Sequence, residues 1–220
     1  MPEVARPRDS WRRPVIEAAA AAAGMVLFAL FVRSGWPWGA VASACGLAVA
    51  AAAMYHTFRA EPAATVVLGL SRPSRGVAMY VVAGCLVGAA LGVLFRVVSE
   101  MGAVPAGLGR FAFVAVLIGA TEEVVFRGYV QGRLARLGWP AAVVLAAAAH
   151  TAYKSALFAM PPEGVAIDHA FLATWTLVGG VAFGLLRHGS GSVLPPLAAH
   201  AVFDIVVYGG GAQAPWWVWG

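Results

Sequence analysis

The chain has 220 residues, of which 61% are hydrophobic and only 11% charged, and its mean hydropathy is +0.79. A soluble domain of this size carries about a quarter of its residues as charges, so this composition excludes an ordinary water-soluble globule and points to lipid as the solvent. The formal net charge of +5 does not argue for nucleic acid, because the arginines are spread between apolar segments instead of forming one basic stripe.

The chain opens on a basic stretch, residues 1–14, with Arg6, Arg8, Arg12 and Arg13. By the positive-inside tendency this tail is expected to be cytoplasmic, and the first apolar run is too long and too closely followed by others to read as a cleaved signal. Residues 15–220 read as a single membrane domain, with the chemistry-bearing core at 107–210.

Hydropathy divides that domain into seven candidate spans, at 15–32, 38–55, 76–98, 111–129, 140–158, 169–186 and 193–208. Most approach the roughly 20 residues that a helix needs to cross about 30 Å of hydrocarbon. No period-2 alternation marks barrel strands, so the expected fold is an all-α integral membrane protein, a polytopic bundle of about seven helices, eight at most.

Alternate counting from a cytoplasmic N-terminus puts Arg59, Arg72, Arg75, Arg133, Arg136 and Arg187 inside, and Arg33, Arg96, Arg110 and Lys154 opposite. The expected location is the cell membrane, multi-pass, with the lipid bilayer as an obligate partner. The segment from His56 to Arg75, with Pro62, Ser71, Pro73 and Ser74, reads as a loop separating a peripheral helix pair from the rest. Gly84, Gly88, Gly92, Gly179, Gly180 and Gly184 supply small residues at helical spacing, which let helices approach closely.

Ionisable residues within the apolar runs carry the chemical signal, since each costs about 2.5–3.5 kcal/mol at bilayer depth on insertion scales. In the fourth span, Glu122 and Glu123 differ by about 100° around a helix, so they face different ways. Glu123 and Arg127, four apart, can pair along one face. Taken alone, these residues are equally consistent with a solvated interface at the helix end. His150 then interrupts the fifth span, with Lys154 one turn on, and His200 and Asp204 share a face of the last span.

What is missing narrows the chemistry. There is no GxSxG elbow, no GxxxxGK[ST] loop, and no CxxC pair; Cys45 and Cys85 sit in apolar stretches as compact hydrophobes. A carboxylate with histidines remains, which suits activation of a water molecule for amide hydrolysis: one glutamate takes the proton, a histidine orients the water, and a second histidine with its partner holds the oxyanion. Glu122, His150 and His200 are also a plausible set for a divalent metal such as zinc, with an open fourth position, and the sequence leaves the metal undecided.

The stretch TEEVVFRGYVQGRL, with Thr121 before the acidic pair, resembles the EExxxR signature of the CPBP (Abi) family, the CAAX prenyl-protease and bacteriocin-processing intramembrane endopeptidases. LLRHGSGSVLPPLAAHAVFD resembles that family's last motif, a histidine followed four residues later by Asn or Asp. The likeness covers residues 111–208. It implies that Glu122 activates water with help from His150, that Glu123 and Arg127 support it, and that His200 and Asp204 bind the substrate carbonyl and its oxyanion. It also implies a peptide or membrane-protein substrate, prenylated in some members. Two positions depart from the pattern: Ala146 stands where the middle motif has Phe, and Asp204 stands where the prenyl-protein proteases have Asn. The alternative is a non-catalytic membrane-interaction or bacteriocin-immunity protein that uses the same polar network structurally.

Overall fold

The computed structural model describes residues 11–35, 37–60, 64–70, 75–210, 215 and 218. Most of the basic tail, Arg72, Pro62, Pro73, Trp36 and the terminal tryptophans lie outside the described residues. Every regular element among the described residues is a helix, and none is a strand.

All seven expected apolar segments are helices, in the order α1 (Arg12–Phe31), α2 (Trp38–Ala60), α4 (Arg75–Val98), α5 (Arg110–Glu123), α7 (Trp139–Leu157), α8 (His169–Ser190) and α9 (Leu194–Tyr208). Four of them, α1, α2, α4 and α8, are long and apolar enough to cross a membrane, and α9 is apolar but has 15 residues. Among the described residues the protein is thus all-helical, with four candidate spans.

Three features depart from the expected layout. First, α1 begins at Arg12, inside the tail assigned to 1–14. Second, a short helix, α3 (Ala64–Leu68), lies in the segment read as a loop. Third, the motif-bearing segment does not stop at residue 129. It continues from α5 through a π-helical stretch, Val124–Val130, into α6 (Gln131–Leu134) and a closing 3₁₀ turn, Ala135–Leu137. π segments of this kind are rare and recur at functional sites.

Helix ends follow local chemistry. Asp168 caps α8 by accepting from the Phe171 amide at 2.9 Å, and Gly191 ends it in the left-handed region at φ 67°. Proline opens both α7 and α9 in the first turn, where no amide donor is needed. Arg96, expected in an outer loop, is instead buried in the last turn of α4. Its guanidinium donates to the carbonyls of Met101 (2.7 Å), Gly102 (2.8 Å) and Val207 (3.1 Å), satisfying backbone oxygens where α4 and α9 end.

Two apolar cores result. One joins α1 and α2 to the π segment, α6 and α7 through residues such as Ala21, Met25, Phe126, Tyr129 and Ala146; the other joins α4, α8 and α9 through Phe183, Leu186 and Ala199. Small residues set the second: a methyl added at Gly84 or Gly88 would run into the Pro195 or Ala199 carbonyl of α9. The α5–π–α6 segment contributes to the first core and lies against α9 at the edge of the second, and its polar side chains fall between them.

Candidate active site

The six residues singled out from sequence come together. Glu122 and Glu123 are the last two residues of α5, Arg127 lies in the π segment, His150 is on α7, and His200 and Asp204 are on α9; all six are buried. Glu122 Oε2 is 3.0 Å from His150 Nε2 and 3.9 Å from His200 Nε2. Glu123 Oε1 is 3.1 Å from Arg127 Nη1 and 2.8 Å from His200 Nδ1. His200 Nε2 lies 3.8 Å from Asp204 Oδ2.

These contacts fix hydrogen positions. A guanidinium only donates, so Arg127 Nη1, 3.0 Å from His150 Nδ1, requires that nitrogen to accept. His150 then carries its hydrogen on Nε2 and donates it to Glu122. On the other side, the Glu123 carboxylate accepts from His200 Nδ1–H, which turns the Nε2 edge of that ring toward Glu122 and Asp204. One Arg–Glu pair, which is 0% exposed, therefore holds the two rings in opposite senses, with His150 Nδ1 accepting and His200 Nδ1 donating. The glutamates divide as their 100° offset requires: Glu123 is tied into the framework, and Glu122 meets α7.

Three parts of the site are not legible in the sequence motifs. Lys154 Nζ is 2.6 Å from Glu122 Oε1, so a residue of the fifth span that topology counts with the outer charges pairs with the first glutamate instead. Its position one turn beyond His150 was the available signal. Tyr153, also buried, lies against the same carboxylate and stacks near the His150 ring at 6.2 Å. Phe126, from the π segment, packs 4.8 Å from that ring. An aromatic wall for His150 thus exists even though Ala146 occupies the place where the motif has phenylalanine.

Gly119 makes the close packing possible. A Cβ there would come within 2.7 Å of Asp204 Oδ2 and 2.9 Å of the His200 ring. Several buried polar atoms in the cluster have no hydrogen-bond partner among the described residues: Glu123 Oε2, Arg127 Nε and Nη2, and Asp204 Oδ2. Orphaned buried atoms are costly in a purely structural network, which favours complete satisfaction.

A cavity of about 530 Å³ opens beside the cluster. His150, Lys154, Arg127, His200 and Asp204 are polar residues of its lining, which also includes the rings of Phe95, Phe171, Trp175 and Phe203. Among the described residues, no three His, Cys, Asp or Glu side chains are placed to hold a metal ion. The expected set of Glu122, His150 and His200 does not fit a divalent cation in this arrangement. The His150 nitrogen facing Glu122 carries a hydrogen instead of a lone pair, and the Lys154 ammonium occupies Oε1.

A bundle with several apolar spans and a buried Glu/His/Arg cluster beside a half-apolar cavity defines a multi-pass membrane protein with a hydrolase-like polar centre. Residues 104–206, just under half of the chain, match the family model described as type II CAAX prenyl endopeptidase Rce1-like. That family is one of peptidases, and its match spans every member of the cluster. No curated protein and no solved structure matches the chain.

Proposed function

We propose that the protein is an intramembrane endopeptidase in which Glu122 and His150 activate water, and His200 with Asp204 holds the oxyanion. The observation that supports this most is the 3.0 Å contact between Glu122 Oε2 and His150 Nε2, with the Nε2 edge of His200 3.9 Å from the same oxygen. The base and the donor thus lie side by side, so a carbonyl presented from the cavity would meet His200 Nε2 with the Glu122 carboxylate next to it.

The bonds balance as follows. Glu122 takes a proton from water as the hydroxide oxygen bonds to the substrate carbonyl carbon. The resulting oxyanion accepts from His200 Nε2–H in the doubly protonated ring, and from Asp204 when that side chain carries its proton, since an ionised carboxylate cannot donate. The tetrahedral intermediate then expels the amine as the C–N bond breaks, and Glu122 returns its proton to that nitrogen. His150 cannot serve as the base here, because its Nδ1 lone pair is taken by Arg127; it orients Glu122 instead. No step requires a metal ion.

The bundle is read as seven spans in the cell membrane with a cytoplasmic N-terminus, α5 with its π extension, α7 and α9 crossing alongside the four longer helices. Its substrate is then a peptide or membrane protein presented from the bilayer, and the aromatic side of the cavity suits an apolar segment, including a prenylated one.

The test is direct. Protein purified into lipid nanodiscs is incubated with farnesylated and unmodified peptides, and the products are mapped by mass spectrometry. Water-dependent cleavage at a single peptide bond is expected, with one atom of ¹⁸O from labelled water in the new carboxyl group. Absence of cleavage of every peptide, with a membrane partner still co-purifying, would instead favour the interaction or immunity reading.

A further inference from the structure

Contacts between helix ends sort the described elements into two ends of the bundle. At the first, Glu17 near the start of α1 accepts from Thr57 near the close of α2 at 3.1 Å and pairs with Arg133 of α6. The Trp139 ring at the start of α7 stacks on His188 near the close of α8 at 4.9 Å, and Arg187 donates to the Val67 carbonyl of α3 at 3.2 Å. Gly84, in the first half of α4, packs against Pro195 at the start of α9. At the second end, Arg96 joins the close of α4 to Val207 at the close of α9 at 3.1 Å, and the Gly109 amide before α5 bonds the Gly209 carbonyl. Phe95 there lies 5.5 Å from Phe171 at the start of α8.

Basic residues are divided unequally between these ends. Arg12, Arg13, Arg59, Arg75, Arg136 and Arg187 stand at the first. At the second, Arg33 and Arg110 are exposed, whereas Arg96 is buried among backbone carbonyls and Lys154 is held by Glu122. An excess of Lys and Arg near helix ends marks the cytoplasmic side, and acidic residues contribute little to that bias. By this tendency the first end is cytoplasmic.

The cavity belongs to the second end. Its exposed lining residues Val165, Ala166 and Asp168 lie in the connection between α7 and α8, and the lining becomes buried inward at His150, Phe183 and His200. Along α7, at 1.5 Å per residue, His150 is about 16 Å from Trp139 and about 10 Å from Leu157. Toward the first end, Leu186 and Ala199 pack into one apolar core and Val130 and Leu134 into the other. Among the described residues, none between Gln131 and Trp139 or between Leu186 and Leu194 lines the cavity.

We infer that the cavity opens on the non-cytoplasmic face of the membrane, and that its substrate is a polypeptide segment lying on that face. The substrate class rests on the endopeptidase reading above, and the side of access on the seven crossings and the charges at their ends. A peptide bond in the cytoplasm would have to pass the apolar cores to reach Glu122. One on the outer face meets the exposed connection and then the two histidines.

Two measurements test this. Cys45→Ala with Cys85→Ala leaves a chain without cysteine, to which Val165→Cys or Leu137→Cys is added; these residues are 36% and 39% exposed, at the second and first ends. Spheroplasts of an expressing bacterium are treated with a sulfonated, membrane-impermeant maleimide before and after detergent lysis. Val165→Cys is expected to label before lysis to the extent that it labels after, and Leu137→Cys only after lysis. The reverse pattern overturns the proposal. In the second measurement, the peptide cleaved in nanodiscs carries a sulfonated fluorophore and a quencher, so that it cannot cross lipid. It is offered to spheroplasts and to sealed inside-out vesicles, with Glu122→Gln as the background for other proteases. Cleavage by spheroplasts and its loss in the vesicles is expected, and cleavage confined to the vesicles overturns the proposal. Labelling does not depend on catalysis. An outward-facing Val165 with no peptide cleaved in any preparation would overturn the hydrolase reading and leave the side of access standing, whereas cleavage in nanodiscs with Val165 labelled only after lysis does the reverse.

Discussion

Two buried acidic clusters sit at separate places in this molecule, and they are built differently. At the first, Glu17 of α1 accepts from Arg13 Nε at 2.9 Å, His56 Nδ1 at 3.0 Å and Thr57 Oγ1 at 3.1 Å, and it also pairs with Arg133. Thr57 in turn meets the Tyr129 hydroxyl at 2.8 Å, so α2 is tied to the π segment. Both Glu17 oxygens are used, and neither is among the unsatisfied buried atoms. At the second, around Glu122 and Glu123, orphaned atoms, two oriented imidazoles and a cavity occur together. A saturated acid acts as a bolt, here fastening α1 and α2 to the segment matched by the family model. An incompletely satisfied cluster next to open space keeps capacity for a substrate.

Substitutions can break this comparison, and the largest effect belongs to the second cluster. Replacing His150 with Gln keeps an amide near Glu122 but loses the imidazole geometry that Arg127 sets. Cleavage is expected to fall by about 10²–10⁴-fold, the scale of acid–base assistance, with helicity by circular dichroism unchanged. At the first cluster, Glu17→Ala removes the carboxylate shared by two arginines and a histidine, at a cost of about 3–5 kcal/mol in stability. Thermal unfolding in one detergent measures it, and activity per folded molecule should stay near the native value.

Smaller effects sharpen the same contrast. Gly119→Ala drives a methyl group against Asp204 and the His200 ring, and displacement of this kind is expected to lower cleavage by about 10–100-fold. Its melting temperature should fall far less than that of Glu17→Ala. Thr57→Val deletes a buried hydroxyl contact with Tyr129 and should cost about 1 kcal/mol of stability while sparing catalysis. A large catalytic loss in Thr57→Val would mean that the bolt and the site are one unit.

Much of this was legible in the chain. Hydropathy alone located all seven long helices, and the rule that charges are costly in lipid picked out the six clustered residues. What stayed hidden depends on tertiary placement. Glu17 lies in an alanine-rich run beside a basic tail, where an interfacial acid and a buried one look alike in sequence. His56 and Thr57 were assigned to a span edge or loop, yet α2 runs on to Ala60 and carries both to Glu17. The π stretch at Val124–Val130 changes hydrogen-bond register without any residue pattern to announce it. Lys154 was counted with outer-loop charges because topology counting treats every lysine as a solvated end group, whereas here a buried carboxylate holds it. Ala146 made the middle motif look incomplete, and only the fold reveals that Phe126 comes from another helix to the same ring.

The central claim is that Glu122 is the group that takes the proton from water. Glu122→Gln keeps the shape and an oxygen able to accept from His150, but it cannot hold that proton. Initial cleavage rates of the native protein and this variant, in matched nanodiscs and normalised to folded protein, measure the difference. A loss of about 10²-fold or more with substrate binding retained is the expected result. A variant that cleaves within a few-fold of the native rate would contradict the account.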